Sequence, residues 1–189
     1  FICDACHSQT PLEALSALMK TETGSDPVTM AEKILSHPAF ALHGPEHHFV
    51  LPAVILKSLE TRGEEVPPGY WNLILNRCKD LPGGTCGYWG ACSAALGAGI
   101  ALSILTGASP LKSENYDAVH KINARTLGRI AQIGGPRCCK RNLFLSLEET
   151  LKFFQEEWGI SLSGKNFVCS YFNKNKECIQ YHCPFYAVK

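Results

Sequence analysis

The stretch Gly83–Leu111, GGTCGYWGACSAALGAGIALSILTGASPL, decides the fold and contains no charged residue. It is long and apolar enough to be mistaken for a membrane span. Glycine and proline punctuate its ends, however, at Pro82, Gly83, Gly84 and Pro110. Within it Ala91, Ala95, Gly99 and Ser103 recur at every fourth place, which lines small residues along one helix face. Small side chains let a second helix approach closely. The expected element is a buried helix over 90–106, closed by Gly107, with no membrane contact.

The same punctuation extends outward from this helix. Thr10-Pro11 and Asp26-Pro27 are N-cap and first-turn pairs, so each opens a helix. His37-Pro38 stops the second. Gly44-Pro45 leads into a third, with Val50, Leu51, Val54, Ile55 and Leu59 as its apolar positions and Gly63 as its end. Pro52 predicts a kink or an early break there. Pro67-Pro68 begins a helix that ends near Leu81-Pro82. Ser113 opens another that ends at Gly134-Gly135-Pro136. The last runs from about Arg137 to Trp158, as one piece or two. Strand alternation does not recur, and there is no internal repeat.

The expected fold is therefore all-α, a single domain of about seven helices with irregular cysteine-bearing segments at both termini. Residues 10–160 are the helical core and 161–189 a cysteine-bearing extension. Residues 1–9 read as the remnant of an N-terminal metal ribbon, since Cys3 and Cys6 form half of one and the chain opens on Phe1. A chain of 189 residues that is 46% hydrophobic can bury a core without disulfides. The formal net charge of +1 argues against nucleic acid as a partner.

Ten cysteines then require an explanation. Their clustering, with Cys138 beside Cys139 and a CxxC at Cys3 and Cys6, suits metal or thiol chemistry better than a cross-linking framework. It also points to a reducing, cytoplasmic setting.

Four constellations stand out. Cys86 and Cys92 lie at Cx5C across a glycine-rich turn entering a helix. Glycine lets the backbone approach a bound group, and free N–H groups at a helix start favour thiolate. Two buried packing cysteines are the plain alternative. Gly134-Gly135-Pro136-Arg137-Cys138-Cys139-Lys140-Arg141 repeats the pattern. One of its thiols is the expected third ligand beside Cys86 and Cys92, and its neighbour must point elsewhere. His43-Gly44-Pro45-Glu46-His47-His48 supplies His47, His48 and Glu46 as acid–base candidates and His43 as a metal candidate. Cys169-x8-Cys178-x4-Cys183-Pro184 reads as a terminal metal knuckle, with Cys3, Cys6, His7 or His182 as its fourth ligand. Cys78 reads as packing.

Taken in order, HGPEHH, GGTCGYWGAC, GGPRCCKRN and the CxxxxxxxxCxxxxCPF tail resemble domain-of-unknown-function family 5714, found in methanogenic archaea and anaerobic bacteria. The resemblance covers essentially the whole chain. It implies a zinc-ribbon-like segment at the N-terminus, whose second half would be Cys3 and Cys6, and a setting in which oxygen-sensitive iron–sulfur chemistry is permissible.

The expected function is an iron–sulfur protein, with a 4Fe–4S cluster on Cys86, Cys92 and Cys138 or Cys139, acting in sulfur transfer or desulfuration. Zinc is the alternative metal at the terminal cysteines. A metal-free thiol–disulfide or electron-transfer module and a non-enzymatic zinc-binding partner module are the other readings. The expected partners are a small sulfur-containing molecule or a redox protein, with a homo-oligomer left open.

Overall fold

The computed structural model describes residues 9–188. Cys3, Cys6 and His7 lie outside them, as does most of the expected ribbon remnant. Eight α-helices follow in order: α1 (Pro11–Thr21), α2 (Pro27–Leu35), α3 (His47–Thr61), α4 (Tyr70–Cys78), α5 (Thr85–Tyr88), α6 (Ser93–Thr106), α7 (Tyr116–Ile133) and α8 (Cys139–Trp158). Two short 3-10 turns and one isolated bridge, Cys169 to Tyr186, mark the tail. The protein is all-α. Among the described residues no helix is long and apolar enough to cross a membrane.

Helix α3 is the central one, since twelve of its fifteen residues are buried. It packs against α6, α2, α4, α8 and α1, while α6, α7 and α8 pack on one another. The small residues of α6 allow close contact. A Cβ at Gly97 would stand 3.1 Å from Pro52 Cδ and 3.5 Å from the His48 carbonyl oxygen. The Asn123 side chain of α7 occupies the space beside Gly99 and accepts its N–H at 3.0 Å.

The capping signals at the first two helices hold. Thr10 and Glu13 form a reciprocal capping box, and the Asp26 carboxylate accepts from the N–H groups of Val28 and Thr29. Two boundaries differ from the sequence expectation, and the span of the last helix, left open there as one piece or two, is resolved. The helix expected over 90–106 begins at Ser93, and a separate short helix, α5, precedes it, with Gly90 at φ 66° between the two. Asn115, rather than Ser113, caps α7, with φ 58°. Helix α8 is one uninterrupted span of 20 residues.

Pro52 lies inside α3 without ending it. Its missing N–H would have bonded the His48 carbonyl four residues back. The buried Cys78 thiol donates to that carbonyl instead, at 3.7 Å. Burial pushes the Cys78 thiol up to about 12, which keeps it protonated and a donor. Cys78 is thus a packing residue with a defined hydrogen-bonding task.

The tail is fastened to α8 by aromatic rings. Phe167 stacks on Phe144 with centroids 3.4 Å apart, and Phe185 meets both edge-on. Phe167 and Phe185 each sit two residues from a cysteine, so the anchoring also places Cys169 and Cys183.

Candidate functional site

Cys138 is the N-cap of α8 and Cys139 its first residue. Consecutive residues at a helix start point in different directions, and these two serve different cavities. Cys139 lines a cavity of about 250 Å³ together with Cys86, Cys92, His43, His47 and His48. Cys138 lines a separate, apolar cleft with Cys169, Cys178 and Cys183. All eight described cysteines are free thiols.

The Cys139 cavity is walled by the α5–α6 turn, the 43–48 segment and the start of α8. Thiols and imidazoles reach it, and no carboxylate does among the described residues. Burial raises the Cys139 thiol, and the Gly44 amide opposes that by favouring the thiolate. The Asn142 amide donates to Cys92 Sγ at 3.4 Å. Cys86 and Cys92 also border a second cavity of about 430 Å³ on their far side, which Arg137, Arg141 and Asn142 line. The two thiols, Arg137 and Asn142 line both cavities; the histidines line only the first and Arg141 only the second.

The three histidines have different tasks. His47 hydrogen-bonds the Gly44 carbonyl through Nδ1 at 3.1 Å and faces Lys140 Nζ through Nε2 at 3.3 Å. Burial, with Lys140 next, lowers its pKa to about 3, so Nε2 is an acceptor. Both its nitrogens are committed. His43 takes the Cys139 N–H on Nδ1 at 3.4 Å and meets Asn175 Oδ1 through Nε2 at 3.3 Å, so it ties the cavity to the tail. His48 bonds Ser93 Oγ through Nε2 at 2.5 Å, and Ser93 in turn meets Thr85 Oγ1 at 3.1 Å. Its Nδ1 is buried without a hydrogen-bond partner. Burial lowers His48 to about 4, so it too is neutral at pH 7.

Glu46 is not among the residues lining the cavity. Its carboxylate lies over the Gly44 Cα, where any side chain would collide with it, and 3.8 Å from His47 Nδ1. The expected acid–base trio is therefore divided, with His48 held through Nε2 by Ser93 and with the Leu81 backbone beside its ring.

The residue matches decide the family. DUF5714, a family of unknown function, matches residues 15–186. The chain belongs to this family. No curated protein and no solved structure matches the chain. The matched span contains every described cysteine, so both thiol sets fall within the family's own domain.

In the Cys138 cleft, Phe167, Tyr171, Phe172, Ile179 and Phe185 give the four thiols an apolar lining. His182 is exposed and packs on Tyr181, and among the described residues the thiol that joins the three tail cysteines is Cys138. Between the two sets stands Lys140, 1% exposed. Its Nζ donates to the Ala41 and Leu42 carbonyls, both at 3.2 Å, and lies 4.5 Å from the Tyr171 ring centroid. Burial lowers its pKa, and Cys138, Cys139 and Cys169 hold it up.

Sequence reasoning missed Thr85, Ser93, Asn142 and the position of Lys140. The first two flank Cys86 and Cys92 directly in the chain. Hydroxyls beside two candidate ligands were the available signal.

Proposed function

We propose that this chain is an iron–sulfur protein whose reactive centre is carried by Cys86, Cys92 and Cys139, and that it acts on small sulfur-bearing molecules by sulfur transfer or desulfuration. The observation that carries this reading is the convergence of those three thiols on one cavity that also admits His48. The donor set is soft, all sulfur and imidazole, which favours iron–sulfur or zinc over magnesium or calcium. Among the described residues no three His, Cys, Asp or Glu side chains close on a point where a single ion would sit. A cluster takes one thiolate per iron, so its ligands stand further apart than those of one zinc ion. Three thiolates on a four-iron cluster would leave one iron free for a substrate sulfur.

The chain's own residues supply the rest. His48, neutral and fixed through Nε2 by Ser93 and Thr85, offers Nδ1 to give or take a proton. Arg137, which lines both cavities, and Arg141, which lines the second, suit an anionic substrate. His47 holds Lys140 and is a positioning residue. The electron-neutral form of the reaction exchanges a C=S bond for C=O, with water supplying oxygen and sulfide leaving. A reducing, cytoplasmic setting and zinc confined to the other thiol set are in keeping with this reading.

Iron and acid-labile sulfide analysis on protein purified without oxygen tests it. The expected protein is brown, and Cys139→Ser loses the iron and sulfide of this centre. A colourless wild-type protein without iron or labile sulfide sinks the proposal.

A further inference from the structure

The geometry points to a second metal–thiolate centre, in a largely apolar cleft, in which Cys138 completes the set begun by Cys169, Cys178 and Cys183. It is a separate site from the Cys139 cavity and does not depend on that cavity being loaded. Sequence spacing alone joins only the three tail cysteines; the fold adds Cys138 from the N-cap of α8.

Three independent features single this set out. The first is how the sulfurs are hydrogen-bonded. Cys138 Sγ accepts from the Arg141 amide at 3.4 Å and from Asn175 Nδ2 at 3.6 Å. Cys169 Sγ accepts from the Tyr171 amide, and Cys178 Sγ from the Gln180 amide, both at 3.4 Å. Gln180 reaches this position with φ 47°, a left-handed conformation uncommon for a residue other than glycine. N–H groups aimed at sulfur favour thiolate, and they are the usual setting of sulfur that holds a metal. Cys78 is the internal contrast, because its buried thiol donates to a carbonyl rather than accepting.

The second feature is charge. Lys140 and Arg141 are 1% and 4% exposed. Arg141 spends one terminal nitrogen on the Gly134 and Pro136 carbonyls, and its Nε is buried without a partner. None of the Lys140 contacts is a carboxylate. Buried cations are costly unless an anion faces them. Four thiolates on a zinc ion, or on a 4Fe–4S core of charge two plus, carry two net negative charges. Either would be that anion.

The third feature is the lining. It is aromatic and aliphatic apart from the cations and Asn175, and it has no carboxylate. This suits a thiophilic metal. The space left between the side chains is about 20 Å³, the size of one small ion. Among the described residues no three donors close on one point, so either metal would require the thiols to draw together around it. The shared chemistry is four thiolates on a thiophilic metal, and the experiment separates the two.

The test uses the full chain purified without oxygen. Zinc, iron and labile sulfide are counted for the wild type, Cys138→Ser, Cys178→Ser and Cys139→Ser. Cys138→Ser and Cys178→Ser are expected to lose the same equivalents, either about one zinc or about four irons with matching sulfide. Cys139→Ser is expected to keep them. In parallel, alkylation of the wild type is mapped by mass spectrometry before and after stripping with EDTA and ferricyanide. Cys138, Cys169, Cys178 and Cys183 should be protected together and released together. This arm decides the matter if a variant fails to fold. Unchanged metal in Cys178→Ser, or equal alkylation of Cys178 before and after stripping, overturns the proposal. A wild-type protein that holds these equivalents but no centre on Cys139 overturns the proposed function and leaves this one standing.

Discussion

The two sides of the α8 N-terminus differ more than their shared peptide bond suggests. Cys139 faces a polar cavity of about 250 Å³ with three histidines and a hydroxyl pair. Cys138 faces a tight aromatic cleft in which each added group is another thiol or a cation. Room beside a soft donor set allows a substrate to enter, whereas a filled apolar shell only holds what is already there. On the two proposals above, one helix start would present a roomy centre to one side and a tight one to the other, with Lys140 as the common counter-charge.

Lys140→Met breaks this comparison most severely. The substitution keeps most of the apolar stem and removes the charge. In metal-loaded protein it should cost about 3 kcal/mol or more, because two anionic centres lose a buried cation. In metal-free protein, where the Glu46 carboxylate acts on Lys140 only from beyond contact distance, the same change should cost far less. Urea unfolding of both forms measures the difference. An equal effect in the two forms would remove the idea that Lys140 balances thiolate charge.

Acid is the next lever, and it acts on the Cys139 side. His47 and His48 are held neutral, with pKa values near 3 and 4 against 6.5 in an unfolded chain. The unfolded state therefore binds more protons below pH 6.5, and stability falls as pH falls through that value toward 4. Each depressed unit is about 1.4 kcal/mol, so His47 alone accounts for on the order of 3 kcal/mol by pH 4. Denaturant midpoints at pH 7, 5.5 and 4 check this. His47→Gln should flatten the profile, and an unchanged slope in that variant would refute the assignment.

Cys78 supplies the smallest effect and a control for both centres. Cys78→Val removes the donor to the carbonyl that Pro52 leaves bare, at a cost of about 1–2 kcal/mol. Cys78→Ser keeps a donor and should recover part of that loss. Metal content should be unchanged in each. Any loss of metal would place Cys78 in a centre.

Much of the helical frame was legible because its signals are local. Thr10, Asp26 and the glycines at 63, 107 and 159 act within one turn of where they stand. Grouping Cys86, Cys92 and one of Cys138 and Cys139 was likewise legible, since glycine-rich helix starts share a chemistry. Assigning Cys138 to the tail was not. That depends on Phe167 and Phe185 docking on Phe144, a contact between segments more than twenty residues apart, which no spacing rule encodes. The separation of His47 from His48 was hidden for the same reason. Adjacent in sequence, they are distinguished by Lys140 on one side and Ser93 on the other.

The position of Asn175 and the tail cysteines carries a consequence for synthesis. Every residue of the Cys139 set has left the ribosome's active site once Asn142 is added, whereas the Cys138 set waits for Cys183, about forty residues later. At roughly 5–20 residues per second that is about 2–8 s of translation. During that interval Cys169, Cys178 and Cys183 are added in turn, so Cys138 gains its partners one by one. On the two proposals above, the Cys139 set would be the first whose residues are all present, and a ribosome stalled before Cys169 would hold Cys138 without any of its three partners.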